Sequence, residues 1–241
     1  MQWSDQAIIL QVRKFAEHGA VVTLFSRANG LYSGVCKAAQ SKAQRGIYQP
    51  GNIVQANWKA RLEEHIGSLS CELDMPVAAL VMQDARALSG LNAVCAMLPL
   101  AVHERDAHPQ LYDAAVMLLE HLASGQPWLV DYIRFELCLM REAGYGLDLE
   151  QCAATGARDS LVYVSPKSGC AVSASAGAPY HERMLPLPAF LLQEQPEVQH
   201  SAIADGFKLT SYFLTHWLLA PLGRSMPDAR ERVLRMAEAA V

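Results

Sequence analysis

Six cysteines are the side chains in this sequence best suited to metal or redox chemistry, and their spacing argues against both. No two of them form a C-x-x-C pair, whereas a structural zinc site closes around four soft ligands that commonly come in such pairs. Several stand in apolar stretches, where a free thiol packs as a small hydrophobe. We therefore predict no disulfide framework, no bound zinc and a reducing environment. The six are Cys36, Cys71, Cys95, Cys138, Cys152 and Cys170.

The residue types that perform catalysis form no recognisable motif. The sequence contains no G-x-x-x-x-G-K-[ST] loop for phosphates, no G-x-S-x-G elbow and no H-E-x-x-H pair. Its eight histidines are scattered. The neighbouring carboxylates Glu63 and Glu64 stand in a charged turn, where solvated residues are expected. We predict that the protein is not an enzyme and takes no cofactor.

Basic residues are concentrated near the start of the chain. Residues 12–61 contain eight Lys and Arg against one acidic residue, a net charge of +7, although the whole chain carries -4. Clustered cations of this kind neutralise nucleic-acid phosphates, while a solvated basic surface without a partner is the alternative. The candidate DNA-binding residues are Arg13, Lys14, Arg27, Lys37, Lys42, Arg45, Lys59 and Arg61.

Five aromatic residues are interleaved with these cations and have the ring faces on which unpaired bases stack. At least half of them are expected in a hydrophobic core instead. They are Trp3, Phe15, Tyr32, Tyr48 and Trp58.

The first 75 residues predict a small β-barrel. Asn29-Gly30 predicts a two-residue type I′ hairpin turn, in which both central residues need a positive φ. A polar, basic excursion over 37–49 separates the third and fourth strands. Five strands with one longer connection match a five-stranded OB-fold barrel over residues 1–75, which on strand count alone is one candidate among small barrels. The predicted strands are the apolar, β-rich runs 7–12, 21–25, 31–36, 53–58 and 65–72.

Residues 76–241 predict a mainly α-helical domain, which makes the fold class α+β. Pro109 and Pro127 each suit the first turn of a helix, and Gly144 suits the C′ position that ends the second. Further helices are expected over 206–219 and from about residue 227. An irregular insert with short strands, such as 161–164, is expected over about 148–180.

The sequence contains no recognisable signal for membrane insertion or export. The longest apolar run, 93–102, contains Pro99 and falls short of the roughly 20 residues that cross a bilayer. The first residues contain neither a basic stretch nor a following apolar one. We expect a cytoplasmic protein with no membrane partner.

Several motifs, in order along the chain, resemble the RecO family in its alphaproteobacterial form. Residues 134–149 are similar to the family's R-F-E-x-x-L-L-x-x-x-G-[FY]-G segment. Residues 37–42 correspond to its basic K-G-A-R loop, although Ala38 and Gln40 stand where the family has Gly and Arg. Further similarity lies in the opening hairpins at 7–10 and 22–31, the Q-P-G turn at 49–51, and the segments 163–169 and 187–188.

The resemblance implies a non-catalytic recombination mediator that binds single- and double-stranded DNA without sequence preference. It implies three protein partners: RecR, the C-terminal tail of single-stranded DNA-binding protein and, indirectly, RecA, which is loaded onto covered strands. It also implies strand annealing and association with the nucleoid. An OB-fold adaptor that binds proteins but no nucleic acid is the alternative, because one fold hosts many functions.

Some members of the family hold zinc in the insert through four cysteines. Cys152 stands at the first ligand position, but Thr155 occupies its partner's place and Cys170 is alone. Two thiols cannot close a tetrahedral structural site. We therefore interpret the insert as a degenerate, zinc-finger-like segment without metal.

The predicted helix after Pro127 is the expected receptor for the partner's tail. Such a tail ends in acidic residues, an apolar pair and a free carboxylate, so it needs an apolar slot beside an Arg that can grip the carboxylate. Arg134, Leu137 and Arg141, with Ile133 and Cys138 beside them, provide these types at helical spacing. The alternative is that Arg134 only pairs with Asp131 or Glu136.

Overall fold

A computed structural model describes residues 1–15, 17, 19–62, 66–193 and 198–239. The chain divides into two compact units, Met1–Pro127 and Trp128–Val241. The first unit thus contains the strand-rich region and the helices that follow it as far as residue 127. The sequence predicts a domain boundary at residue 75, where the strand pattern ends. That boundary between independently folding domains stays a prediction.

The first unit is built on a closed five-stranded barrel. Its strands are β1 (Gln2–Phe15), β2 (Gly19–Ser26), β3 (Gly30–Cys36), β4 (Ile53–Lys59) and β5 (Gly67–Met75). They pair in the order β1-β2-β3-β5-β4, and β4 closes the ring against β1. Only the β3–β5 pair is parallel. This arrangement confirms the predicted OB-fold barrel; His65, predicted to begin the fifth strand, lies outside the described residues.

The β2–β3 hairpin forms as predicted, but its turn is of a different type. Ser26 pairs with Gly30, so the loop consists of the three residues between them. None of these three has a positive φ, whereas Gly30 has a φ of 76°. The Asp5 carboxylate stabilises this wider turn because it accepts hydrogen bonds from the Ser26 hydroxyl at 2.5 Å and the Ala28 amide at 2.7 Å. A Cβ at Gly30 would also lie 1.9 Å from the Asp106 carbonyl oxygen, so glycine is required there.

Most of the interleaved aromatic residues belong to the barrel core, as expected. Trp58 is buried, and its indole N–H donates to the Ser33 carbonyl at 3.1 Å. Trp3 stacks on Trp58 with ring centroids 6.1 Å apart, and Tyr32 packs edge-on against both at 5.1 Å. Tyr48 is buried too, whereas Phe15 is 54% exposed. Among the five, Phe15 alone thus presents most of its ring to solvent.

Three helices complete the first unit: α1 (Val77–Val81), α2 (Ala85–Ala101) and α3 (Pro109–Ser124). Asp84 caps α2 by accepting from the Arg86 and Ala87 amides. Pro109 opens α3 as predicted, and its apolar side is buried. The buried residues on that side include Leu111, Ala115, Leu118, Leu119 and Leu122. None of the helices in the described ranges is long and apolar enough to span a membrane.

The second unit combines helices with a small sheet. The helices are α4 (Leu129–Glu142), α5 (Ala174–Gly177), α6 (His200–Phe213) and α7 (Asp228–Glu238), and the strands are β6 (Leu161–Val164), β7 (Ala171–Ser173) and β8 (Leu185–Pro186). Gly144 ends α4 as predicted, with φ 87° and the Tyr145 amide donating to the Met140 carbonyl. The predicted helix over 206–219 is different: α6 begins at His200, and Leu214–Leu219 form a wider π-helical turn.

A buried ion pair connects three helices of the second unit. Arg230 on α7 donates two hydrogen bonds to the Glu136 carboxylate on α4, at 2.9 and 3.1 Å, and both side chains are fully buried. The guanidinium also donates to the Thr210 hydroxyl on α6 at 3.2 Å and lies 5.5 Å from the Phe207 ring centroid. Glu136 of the R-F-E segment therefore has a structural partner from the end of the chain.

Candidate nucleic-acid interface

The eight candidate DNA-binding cations are all exposed on the first unit. Seven of them have no ion pair within the described part of the chain. They lie on β1 (Arg13, Lys14), in the connection between β3 and β4 (Lys37, Lys42, Arg45) and at the β4–β5 connection (Lys59, Arg61). A cation without a protein counterion can exchange its solution counterions for phosphates, which is the main source of nucleic-acid affinity.

Arg27 is the exception among the eight. It lies in the β2–β3 turn and forms a bidentate pair with Asp113 on α3, with N–O distances of 2.8 and 2.9 Å. Hydrogen bonding to Asp113 raises the pKa of Arg27, and Arg27 in turn lowers the pKa of Asp113. The pair is about half exposed. Because its charge already has a partner, Arg27 is a weaker candidate than the other seven.

Strand register brings the first three unpaired cations to one end of the barrel. Lys14 pairs with Ala20, which pairs with Cys36, and Lys37 follows directly. The separation across the three strands is about 10 Å, from the usual strand spacing. Arg13 lies in the adjacent row. Sequence alone could place these cations on the same hairpins but not in adjacent rows.

The connection between β3 and β4 is an ordered series of turns. The Gln44 and Arg45 amides donate to the Ser41 carbonyl at 3.1 and 2.9 Å. The Asn52 side-chain amide donates to the Gly46 and Ile47 carbonyls at 2.9 and 3.0 Å, which fixes the end of the connection. Lys42 and Arg45 are therefore exposed on a defined backbone, although they lack strand pairing.

One continuous row of paired residues joins Arg13 to Lys59 around the outside of the barrel. Arg13 pairs with Val21, Val21 with Val35, Val35 with Ser68, and Ser68 with Lys59. The row covers four strand spacings, a path of about 19 Å around the barrel wall. The residues between them are small or of medium size and uncharged. Sequence analysis missed this row because the parallel β3–β5 pairing that closes it has no local sequence signal.

The residues of α4 that were predicted to bind the partner's tail differ in exposure and in their contacts within the protein. The Arg134 guanidinium donates to the Phe190 carbonyl at 3.0 Å and lies 3.8 Å from Asp131, so it interacts with Asp131 and not with Glu136. Arg141 is 3.6 Å from both the Glu142 carboxylate and the Cys138 sulfur. Leu137 is half-buried, whereas Ile133 is fully buried and cannot contact a docked peptide. Their proposed role in binding the tail stays a prediction.

The insert retains a thiol in an unusual environment. The nearby side chains of Ser173 and Thr155, together with the Ser173 amide, which donates to the sulfur at 3.3 Å, lower the pKa of Cys152 to about 6. Cys170 is half-buried and donates to the Ser168 carbonyl. Among the residues that the structure describes, no three metal-ligating side chains come together. The absence of zinc stays a prediction.

Comparison with known proteins assigns both parts of the chain. Residues 1–73 match the family model "Recombination protein O N terminal", and residues 82–226 match "Recombination protein O C terminal". The chain is 43% identical over 238 residues to DNA repair protein RecO of Methylocella silvestris, covering 97% of this chain and 95% of that protein. It is 42% identical to the proteins of the same name from Sinorhizobium medicae and Rhodospirillum rubrum, covering 96% of this chain and 92% and 94% of theirs. Two consecutive domain matches and near full-length relatives agree with the barrel and helices described above: the chain belongs to the RecO family.

Proposed function

We propose that this protein is a recombination mediator in DNA repair, acting by binding nucleic acid and not by catalysis. It binds single- and double-stranded DNA without sequence preference, works with RecR to load RecA onto strands covered by single-stranded DNA-binding protein, and promotes annealing. Its place of action is the cytoplasm, on the nucleoid. Membership of the RecO family and the names of its relatives support the repair role.

The seven exposed cations of the first unit that have no ion pair in the described ranges are the observation that supports DNA binding most strongly. Their exposed positions on strands and in the connections between strands make them available to phosphates, and the aromatic residues largely serve the core. Affinity should therefore come chiefly from counterion release and be independent of sequence. A protein-binding adaptor would not need so many cations without counterions.

Salt-dependent binding tests this function. A labelled oligothymidylate and a labelled duplex are titrated with the full chain by fluorescence anisotropy over a range of salt, with and without RecR. We expect the logarithm of the association constant to fall linearly with the logarithm of salt, with a slope of several units, about 0.7 per phosphate contacted on single strands. No binding to either nucleic acid at low salt, with or without RecR, would favour the adaptor.

We also propose that the acidic tail of single-stranded DNA-binding protein docks beside α4, at Arg134, Leu137 and Arg141. Support comes from a partly exposed Leu137, with Arg134 about one turn before it and Arg141 about one turn after it on α4. Arg134→Ala should lower affinity for a synthetic tail peptide about tenfold, the loss of one charge-assisted contact. The melting temperature of Arg134→Ala distinguishes this role from a structural one. A receptor role leaves it equal to that of the parent, whereas a structural role lowers it.

A folded Arg134→Ala protein that binds the peptide as tightly as the parent would exclude Arg134 from the receptor. Arg183, another exposed cation of the second unit, offers the matched control. Arg183→Ala removes the same charge from a segment outside α4 and should leave peptide affinity unchanged.

A further inference from the structure

The outer face of β1, β4 and β5 contains a trough. Of the eight candidate DNA-binding residues, Lys59 alone lines it. Its volume is about 550 Å³. It is lined by three consecutive residues from each strand: 2–4 of β1, 57–59 of β4 and 68–70 of β5. A concavity of this size accommodates a small ligand or a short stretch of a linear polymer.

Strand register explains how the trough is built. One rim is the row Gln2, Lys59 and Ser68, and the other is the row Ser4, Asn57 and Ser70. The row between them consists of Trp3, Trp58 and Leu69, whose side chains belong to the barrel core or pack against it. At the outer face this middle row contributes mainly backbone, so two lines of polar side chains flank the floor of the trough.

The rim side chains are largely free to bind a ligand. Within the described residues, the side chains of Gln2, Asn57 and Ser70 make no hydrogen bond, and Lys59 has no ion pair. The Ser4 hydroxyl accepts from Gln55 at 2.9 Å and keeps its own proton to donate. The trough thus combines neutral donors and acceptors with one cation at its rim.

We propose that this trough binds the sugar–phosphate backbone of a single nucleic-acid strand, extending the path that begins at Arg13. This inference rests on the proposed DNA binding and adds a face of the barrel to it. Ser, Asn, Gln and Lys are the side chains that proteins use to contact phosphate and sugar oxygens. No carboxylate lines the trough.

Continuity with the cationic row identifies the strand as the occupant. The rim formed by Gln2, Lys59 and Ser68 is the end of the same paired row that starts at Arg13 and crosses β2 and β3. A strand crossing the barrel along this row passes from one cation to the other and enters the trough at Lys59. The acidic Glu72 lies beyond the second rim, paired with Gln55, and marks where the favourable potential ends.

A peptide is the less suitable occupant. Peptides commonly insert apolar side chains into a pocket. All six rim residues of the trough are polar, so its rims suit sugar and phosphate oxygens better than apolar peptide side chains.

The test places one negative charge inside the trough and the same charge outside it. Asn57→Asp changes a rim residue almost isosterically, and Gln55→Glu changes the next outward residue of β4, which does not line the trough. Binding of an oligothymidylate of about 15 nucleotides, within the site sizes of OB folds, is measured by anisotropy. We expect Asn57→Asp to weaken binding about tenfold and Gln55→Glu only about threefold, since a carboxylate at position 57 would lie directly against the bound strand, whereas one at position 55 lies about 7 Å further along β4.

A neutral double variant provides a second, independent readout. Asn57→Ala with Ser70→Ala removes two hydrogen-bonding groups and should weaken binding about threefold to tenfold. Its salt dependence should equal that of the parent, because neutral contacts release no counterions, whereas Lys59→Gln should reduce the slope by about 0.7.

Three outcomes are distinguishable once circular dichroism and melting temperatures establish that each variant is folded. Selective loss in Asn57→Asp and in the neutral double variant supports the trough. Equal affinities of Asn57→Asp and Gln55→Glu, with a parent that binds DNA in a salt-dependent way, would exclude the trough and leave the proposed function standing. A parent that binds no strand would overturn both.

Discussion

The cations of the two units differ in what they contact. On the barrel, Lys37, Lys42 and Arg45 are exposed without a carboxylate partner among the described residues. In the second unit, Arg230 is fully buried against Glu136, and Arg134 has a carbonyl and a carboxylate as partners. A buried, paired guanidinium such as that of Arg230 stabilises the fold, whereas an unpaired cation on the surface remains available to a ligand. The burial and pairing of a cation, more than its position in the sequence, therefore indicate its role.

The largest effect is expected where a paired cation is removed from the interior. Arg230→Met leaves the Glu136 carboxylate buried without its partner, so the free energy of unfolding should fall by about 3–5 kcal/mol. Urea denaturation of the purified protein measures this. DNA affinity of the folded fraction should be unchanged, because Arg230 lies in the second unit.

The matched control removes both charges. Arg230→Met combined with Glu136→Leu replaces the pair with apolar groups and should recover most of the lost stability. If the single variant lost less than about 1 kcal/mol, the buried pair would not have the structural role assigned to it.

A pH-dependent contribution is expected from Cys152 in the second unit. Its pKa is lowered to about 6, so the hydrogen-bonded thiolate stabilises the fold above the ordinary thiol pKa, and this stabilisation is lost as the pH falls through about 6. Thiolate ultraviolet absorbance should titrate with a midpoint near 6 that is absent from Cys152→Ser. Thr155→Val removes a donor and should move the midpoint upward. A midpoint at the ordinary value of about 8.5 in the parent would contradict the assignment.

The smallest effect is expected for the paired cation of the barrel. Arg27→Ala breaks an exposed pair with Asp113 and should leave the free energy of unfolding almost unchanged, because solvent screens the pair. Because Arg27 already has a counterion, DNA affinity should change less than about twofold and the salt slope should stay the same. A slope reduced as much as by removal of an unpaired cation would place Arg27 in the interface after all.

The sequence predicted the barrel because its signals are local. Alternating apolar residues, a turn glycine at Gly30 and a proline at Pro109 each act within a few residues, and the corresponding strands and helix formed. The prediction of a type I′ turn at Asn29-Gly30 was wrong because Asp5, more than twenty residues away in sequence, stabilises a wider loop.

The candidate site was less predictable because its properties depend on distant pairs. The sequence identified a basic window, but pairing of Arg27 with Asp113 spans 86 residues, and that of Arg230 with Glu136 spans 94. Nothing local distinguishes Arg27 from Lys37. The trough at Asn57 and Ser70 likewise depends on the register between β4 and β5, and no local sequence pattern specifies that register.

The central claim is that unpaired barrel cations bind nucleic acid, and two triple variants of equal charge test it most directly. Lys37, Lys42 and Arg45 are changed together to Ala, and in a second protein Arg224, Arg232 and Arg235, three exposed cations of the second unit, are changed to Ala. Salt-dependent anisotropy with single strands compares both with the parent. We predict weaker binding to every sequence and a slope lower by up to about 2, roughly 0.7 per lost phosphate contact, in the barrel variant alone. Equal slopes in all three proteins, or an equal loss in both variants, would contradict this account.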